Sequence, residues 1–263
     1  PNGAGKTTAV KLLLGLLPAT SGEGLVLGAP LGDREARRRV GYLPELFRYQ
    51  QWMSGREVLK FHCDLAGLPR SSHRSAIAEA IETVGLEGRE EHRVGTYSKG
   101  MQQRLGLAVA LLGAPELVFL DEPTSALDPV GRHDVRQVIH RLKERGTAVF
   151  LNSHLLTEVE MVCDRVAIVD GGRVVSAGTL DELLAGSGVR LRVTGLKPAE
   201  RASLRSFGEL DDDGEWITVR GVEGEGVPPL VAEVVRMGGR LYAVEPRSQT
   251  LEDRFLQLLG SPQ

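Results

Sequence analysis

The chain opens on Pro1-Asn2-Gly3-Ala4-Gly5-Lys6-Thr7-Thr8, and these eight residues constrain its fold more than any others. They supply everything after the first glycine of the pattern G-x-x-x-x-G-K-[ST], a loop that leads from a buried parallel strand into a helix. Gly3 and Gly5 let the backbone turn so that its N–H groups face phosphate oxygens. Lys6 brings a mobile positive charge to the β- and γ-phosphates, and the Thr7 hydroxyl suits a magnesium ion. Val10, Leu13, Leu14 and Leu17 fall at i, i+3, i+4 and i+7, which predicts a helix whose positive end faces the phosphates. The bland alternative is a chance glycine-rich turn before a helix. The first glycine of the motif and the strand that feeds it are expected upstream of Pro1, so the chain is expected to be an N-terminally truncated fragment.

Composition narrows the classes. With 263 residues, 41% hydrophobic and 25% charged, the chain has globular composition and room for one large domain or two unequal ones. A formal net charge of −3 argues against a strongly basic nucleic-acid binder. No apolar run approaches the ~20 residues that cross a bilayer. Cys63 and Cys163 lie far apart without metal-ligand spacing and are expected to be reduced packing residues.

Strand and helix patterns alternate behind the loop. Leu25–Leu27 and Val40–Leu43 are expected strands, and residues 54–91 an interrupted helical stretch. Ser98 is placed to cap a helix carrying Leu105, Ala108, Leu111 and Leu112. Leu117–Leu120 and Ala148–Leu151 are continuous apolar runs, as in strands buried on both faces, with a helix from about Pro129 to Glu144 between them. Val166–Val169 and Val174-Val175 flank Asp170-Gly171-Gly172-Arg173, a tight hairpin signal. These features predict an α/β P-loop domain with a mostly parallel sheet. Ala185-Gly186-Ser187-Gly188 reads as a flexible joint. Beyond it, expected strands at 191–193, 216–219 and 241–244 and helices at 198–206, 228–237 and around Leu251–Leu259 make a small α+β domain.

The apolar run 117–120 ends in Asp121-Glu122. Acids commonly end strands, but beside a phosphate loop the first carboxylate suits Mg²⁺ coordination and the second suits polarising a water against the γ-phosphate. His154, after the next buried run, is a candidate hydrogen-bond partner for that phosphate and water, because strand ends converge on one nucleotide in such sheets. Without that context a lone histidine after a strand is more often a satisfied surface or core residue.

About two dozen residues before Asp121 stands Tyr97-Ser98-Lys99-Gly100-Met101-Gln102-Gln103-Arg104. With this segment the chain resembles the nucleotide-binding subunit of an ATP-binding-cassette (ABC) transporter, whose signature is L-S-G-G-Q. The resemblance implies that two cassettes sandwich two ATP molecules, with Ser98 and Gly100 capping the γ-phosphate bound to the opposite subunit. It places Asn2, Gly3, Ala4, Gly5, Lys6, Thr7 and Thr8 in the Walker A motif, Asp121 in Walker B, Glu122 as the catalytic carboxylate, Asp128 in the D-loop and His154 as the switch histidine. Gly41-Tyr42-Leu43-Pro44-Glu45 matches the Q-loop except that its glutamine is Glu45, an acid that can still bind Mg²⁺. Lys99 and Met101 also depart from the commonest signature.

Those departures, with the C-terminal L-E-D-x-F-L, resemble the bacterial cassettes paired with ABC-2 type permeases, a branch of exporters. The resemblance implies an ATPase domain at 1–186 with a helical subdomain at about 45–112, and an accessory domain at 189–263. It implies Mg²⁺-ATP as the bound nucleotide, a second and identical ATPase subunit, and a transmembrane permease. No nucleic acid is expected, and the place implied is the cytoplasmic face of the bacterial inner membrane. The segment from Glu45 to about Leu68, with Phe47, Tyr49, Trp52 and Met53, lies where such cassettes grip the permease, or packs a helical subdomain. The alternative is a soluble ABC ATPase acting on ribosomes or nucleic acid; the single cassette and the lack of sustained heptads oppose it.

Overall fold

The computed structural model describes residues 1, 3–125, 127–184, 188–222, 224–247 and 250–260. Contacts divide the chain into two units, Pro1–Cys163 with Val169–Val175, and Asp164–Ile168 with Ser176–Gln263. Of the expected joint at 185–188, residues 185–187 lie outside the described residues, and Gly188 is the first residue of a strand.

In the first unit, helix α1 spans Lys6–Leu13. Leu17, expected on its buried stripe, lies beyond it and is 42% exposed, because the chain leaves the helix at Gly15, where φ is 64°. A two-residue ladder of β1 (Leu25–Val26) and β2 (Ala29–Pro30) follows. Leu27, expected to extend the first strand, has φ 52° and turns the chain instead. Helix α2 (Arg34–Arg38), capped by the Asp33 carboxylate, leads into β3 (Val40–Leu43). Three helices come next, α3 (Gly55–Leu65), α4 (His73–Val84) and α5 (Lys99–Leu111). After them come β4 (Leu117–Asp121), α6 (Pro129–Glu144), β5 (Ala148–Asn152) and α7 (Leu156–Val162).

Strands β3, β4 and β5 form a parallel sheet in that order, with Leu43 opposite Leu120 and Leu120 opposite Leu151. Side chains alternate between two cores. Phe119 faces Val10 of α1 and Leu14 just beyond it, whereas Val118 and Leu120 join Leu105 and Ala108 of α5 and Val135 and Ile139 of α6. Full burial of such side chains contributes roughly 1.5–3 kcal/mol each. Gly41 is required where α5 crosses β3, since a Cβ there would lie 2.0 Å from the Ala110 carbonyl oxygen. Cys63 is buried in this core, and no disulfide links it to Cys163.

Strands β6 (Arg165–Asp170) and β7 (Arg173–Thr179) form the expected hairpin, shared between the two units. Its two turn glycines have φ 52° and 77°, conformations open to glycine without strain. Helix α8 (Leu180–Leu184) begins at the Thr179/Glu182 capping pair, with both reciprocal hydrogen bonds present. The accessory segment runs β8 (Gly188–Thr194), α9 (Pro198–Ser203), β9 (Glu209–Asp212), β10 (Trp216–Arg220), α10 (Val227–Arg236), β11 (Arg240–Arg247) and α11 (Leu251–Leu259). The sheet order is β11-β8-β10-β9, antiparallel throughout, a split β-α-β arrangement. Val189, Leu191, Val193, Ile217 and Val219 pack against Leu230 and Val234 of α10. Among the described residues no helix is long and apolar enough to cross a membrane.

Candidate active site

The carboxyl ends of β4 and β5 meet the N-terminus of α1. Gly3 and Gly5 hold φ of 77° and 94°, the left-handed backbone that the loop requires. The loop is braced from two sides. Lys6 Nζ donates to the Pro1 carbonyl at 2.7 Å, and the Gly172 N–H of the hairpin turn donates to the Ala4 carbonyl at 2.9 Å. No side chain caps α1, and its first turn carries no acid, so its leading amides remain available to an anion. Asn2 lies outside the described residues. Lys6 and Thr7 are half-buried, Ala4 is buried and Thr8 is exposed.

Asp121, the last residue of β4, is 1% exposed. Its Oδ1 accepts from the Thr7 hydroxyl at 3.4 Å and from the Asn152 side-chain amide. Its Oδ2 is buried with no hydrogen-bond partner. An orphaned carboxylate oxygen next to a threonine hydroxyl fits a cation or the cation's water, which would remove an otherwise large desolvation cost. Among the described residues no group of three or more His, Cys, Asp or Glu could cage a metal. Burial, then the charges of Asp121 and Glu45, push the Tyr42 phenol up.

Glu122 follows in a backbone conformation with φ 52°, a departure that costs about 1–2 kcal/mol for a residue with a Cβ. Its N–H donates to the Asn152 carbonyl at 2.8 Å and its own carbonyl accepts from Ser125 at 3.2 Å, which hold it there. The turn sends the carboxylate to His154, whose Nδ1 lies 2.8 Å from Glu122 Oε2. A carboxylate only accepts, so Nδ1 carries the proton. The Glu122 side chain is 9% exposed and that of His154 45%. Thr7, Asp121, Glu122 and His154 are therefore joined by contacts that also run through Asn152.

Other expected residues stand apart from this chain of contacts. Glu45 is exposed, two residues beyond β3. Ser98 caps α5, its Oγ accepting from the Met101 N–H at 3.2 Å, and both it and Lys99 are exposed. Gly100 leaves the start of that helix open, since a Cβ there would meet only Ser98 Oγ at 4.0 Å. Buried Tyr97 anchors the segment by donating to the Arg89 carbonyl at 2.8 Å. Asp128 caps α6, accepting from the Gly131 N–H at 2.8 Å; its neighbour Ala126 lies outside the described residues.

The ABC transporter family model matches residues 1–125. An uncharacterized ABC transporter ATP-binding protein of Nostoc sp. is 43% identical over 260 residues, covering 97% of this chain and 76% of its own length. The chain belongs to the ABC transporter ATP-binding family. It is an ATPase subunit whose substrate is ATP. The Nod factor export ATP-binding protein I of Burkholderia orbicola is 34% identical over 99% of this chain and 86% of its own. A solved structure of the ATP-binding subunit of an ABC transporter superposes with a TM-score of 0.61 at 31% identity, over 70% of this chain and 77% of that one.

Two features of the candidate site went beyond what its sequence offered. Asn152 stands beside the histidine in Asn152-Ser153-His154, yet its contact with Asp121 depends on strand register, which no local pattern reveals. The second is the ion pair of Arg136 on α6 with Glu158 on α7, two hydrogen bonds at 2.8 and 2.9 Å, which ties the helix after Asp128 to the helix after His154. A carboxylate at i+4 from His154 was the only available signal.

Proposed function

We propose that this subunit drives an ABC-2 type exporter, working as a pair of identical copies beneath a membrane-embedded permease on the cytoplasmic face of a bacterial inner membrane. The observation that carries the hydrolytic part is the Glu122–His154 contact at the ends of β4 and β5. The relative named for Nod factor export supports the exporter part. Exposed apolar side chains at Leu46, Trp52, Phe61 and Leu65 support permease docking by the helical segment. Phe47, Tyr49 and Met53 of the same stretch pack on the core instead.

In this reading the free amides of α1 and the Lys6 ammonium hold the β- and γ-phosphates, with Gly3 to Thr8 wrapped around them. Closure brings the Ser98 and Gly100 end of α5 in one copy to the γ-phosphate in the other, with Asp128 at the join. Glu122 Oε2 is held by His154, which leaves Oε1 to take a proton from water. The water oxygen bonds to the γ-phosphorus as the bond from that phosphorus to the bridging oxygen breaks, giving ADP and inorganic phosphate. Thr7 Oγ1, Asp121 Oδ2 and Glu45 would hold magnesium, which when bound neutralises charge on the phosphates. Opening after phosphate release is passed to the permease.

Glu122→Gln tests the reading. General-base loss costs roughly 10²–10⁴-fold, so turnover should fall by at least about a hundredfold while ATP-dependent pairing, followed by sedimentation, persists. Hydrolysis at the wild-type rate would remove Glu122 from the role of base.

A further inference from the structure

Asn152 reaches both acids of the site, the first with its side-chain amide and the second with its main-chain carbonyl. It closes β5 in register with Asp121 and is 5% exposed. Its side-chain amide donates to Asp121 Oδ1. Its main-chain carbonyl accepts the Glu122 N–H at 2.8 Å. Asp121 thus has two unequal oxygens. Oδ1 receives Asn152 and, more distantly at 3.4 Å, Thr7, while Oδ2 is buried and receives nothing. A carboxylate rotates about its Cβ–Cγ bond between two equivalent orientations unless a donor on one side breaks the equivalence. The Thr7 bond is too long to do so alone. The Asn152 amide does so from a strand locked by the parallel ladder.

We propose that Asn152 is a positioning residue for the cation of the nucleotide complex. By holding Oδ1 its side chain assigns Oδ2 to the ion, while its main-chain carbonyl, which any residue at this position would supply, holds the Glu122 N–H. A side chain without a donor at this position frees Asp121 to turn Oδ2 toward Thr7 and to lose the fixed acceptor. The inference rests on Asp121 holding the cation, as proposed above.

The test compares Asn152→Ala with Asn152→Ser, which differ by one hydroxyl. Mn²⁺ binding in the presence of ATP is followed by electron paramagnetic resonance, and ATP binding in EDTA by a fluorescent ATP analogue. Asn152→Ala should weaken Mn²⁺ about tenfold, the worth of one hydrogen bond to a charged group, and leave metal-free ATP affinity within about twofold. Asn152→Ser should keep Mn²⁺ affinity within about threefold of wild type. The proposal is overturned if Asn152→Ala binds Mn²⁺ like wild type, or if Asn152→Ser falls as far as Asn152→Ala. It is overturned too if both variants lose metal-free ATP binding, which marks a purely structural residue. Failure of the wild-type subunit to bind Mn²⁺ with ATP would instead strike the cation reading of Asp121.

Discussion

At the carboxyl ends of β4 and β5, Asp121 Oδ2 and Thr124 Oγ1 are buried without hydrogen-bond partners, and Glu122 holds φ 52°. In the antiparallel sheet of β11, β8, β10 and β9 the buried side chains are nearly all aliphatic, Thr218 excepted. Its charges sit on the rim, where Arg201 meets Asp212 at 2.7 Å and Arg190 meets Asp213 at 3.4 Å while lying 4.4 Å from the Trp216 ring centre. A sheet built only for stability has no reason to bury an oxygen without a donor or to hold a glutamate at positive φ. On the proposed reading the parallel sheet keeps both because bound nucleotide, its cation and water would supply what the protein omits. Strain and orphaned polarity thus meet at the proposed working end of one sheet, and neither occurs among the described residues of the other.

The largest effect that sharpens this contrast is expected from Leu191→Ala. Leu191 is 0% exposed at the centre of the accessory core, and such truncations cost about 2–5 kcal/mol. Urea denaturation should show that loss, while ATP turnover per folded molecule stays within about twofold. A tenfold fall in turnover with the accessory sheet still folded would break the division between scaffold and site.

The two sheets were also unequally legible in the sequence. Leu117–Leu120 was visible as a strand because β4 is the middle strand of a parallel sheet, where uninterrupted apolar runs are the pattern. Ala148–Leu151 carries the same run and is a strand, but not one buried on both faces as expected, since β5 ends the order β3-β4-β5 and Phe150 is 43% exposed. Strand β9 was not, because three of its four residues are acids, a composition depleted in strands. It pairs because Asp213 Oδ1 accepts from the Glu215 and Trp216 N–H groups at 3.1 and 2.7 Å, which closes a turn onto the strongly strand-forming β10. Those same bonds hold the Asp213 carboxyl below its usual range. Helix α7 was missed as well; it is short and has no side-chain cap. In the site, Asp121, Glu122 and His154 were legible from their order behind apolar runs. Asn152 was not, since an asparagine after a strand signals only a break until register sets it against Asp121.

A smaller effect is expected from Glu158→Gln. Glu158 is 8% exposed at its side chain and Arg136 21%, so removing the carboxylate leaves a half-desolvated guanidinium with a neutral partner. Fully buried pairs cost 3–5 kcal/mol to break, and the exposure of Arg136 reduces this to about 2 kcal/mol. Because the pair joins α6 to α7, which follow Asp128 and His154, kcat should fall while the KM for ATP stays near wild type. A stability loss with kcat unchanged would move this pair from the working end of the unit to its scaffold.

The smallest effect separates two duties of one hydroxyl. Ser98 Oγ accepts from the Met101 N–H, an ordinary helix cap, and on the proposed reading the same end of α5 meets the γ-phosphate held by the other copy. Ser98→Ala loses the cap and should cost about 1 kcal/mol, whereas Ser98→Gly should cost only a few tenths, since glycine is tolerated at that position. Both remove the hydroxyl. If Ser98 Oγ touches phosphate, the two variants weaken ATP-dependent pairing equally although only one destabilises the helix. If pairing follows stability instead, with Ser98→Gly near wild type, the hydroxyl is a cap and nothing more. The backbone amides of α5 would then be what remains there to bind the phosphate, as the uncapped amides of α1 are proposed to do together with Lys6.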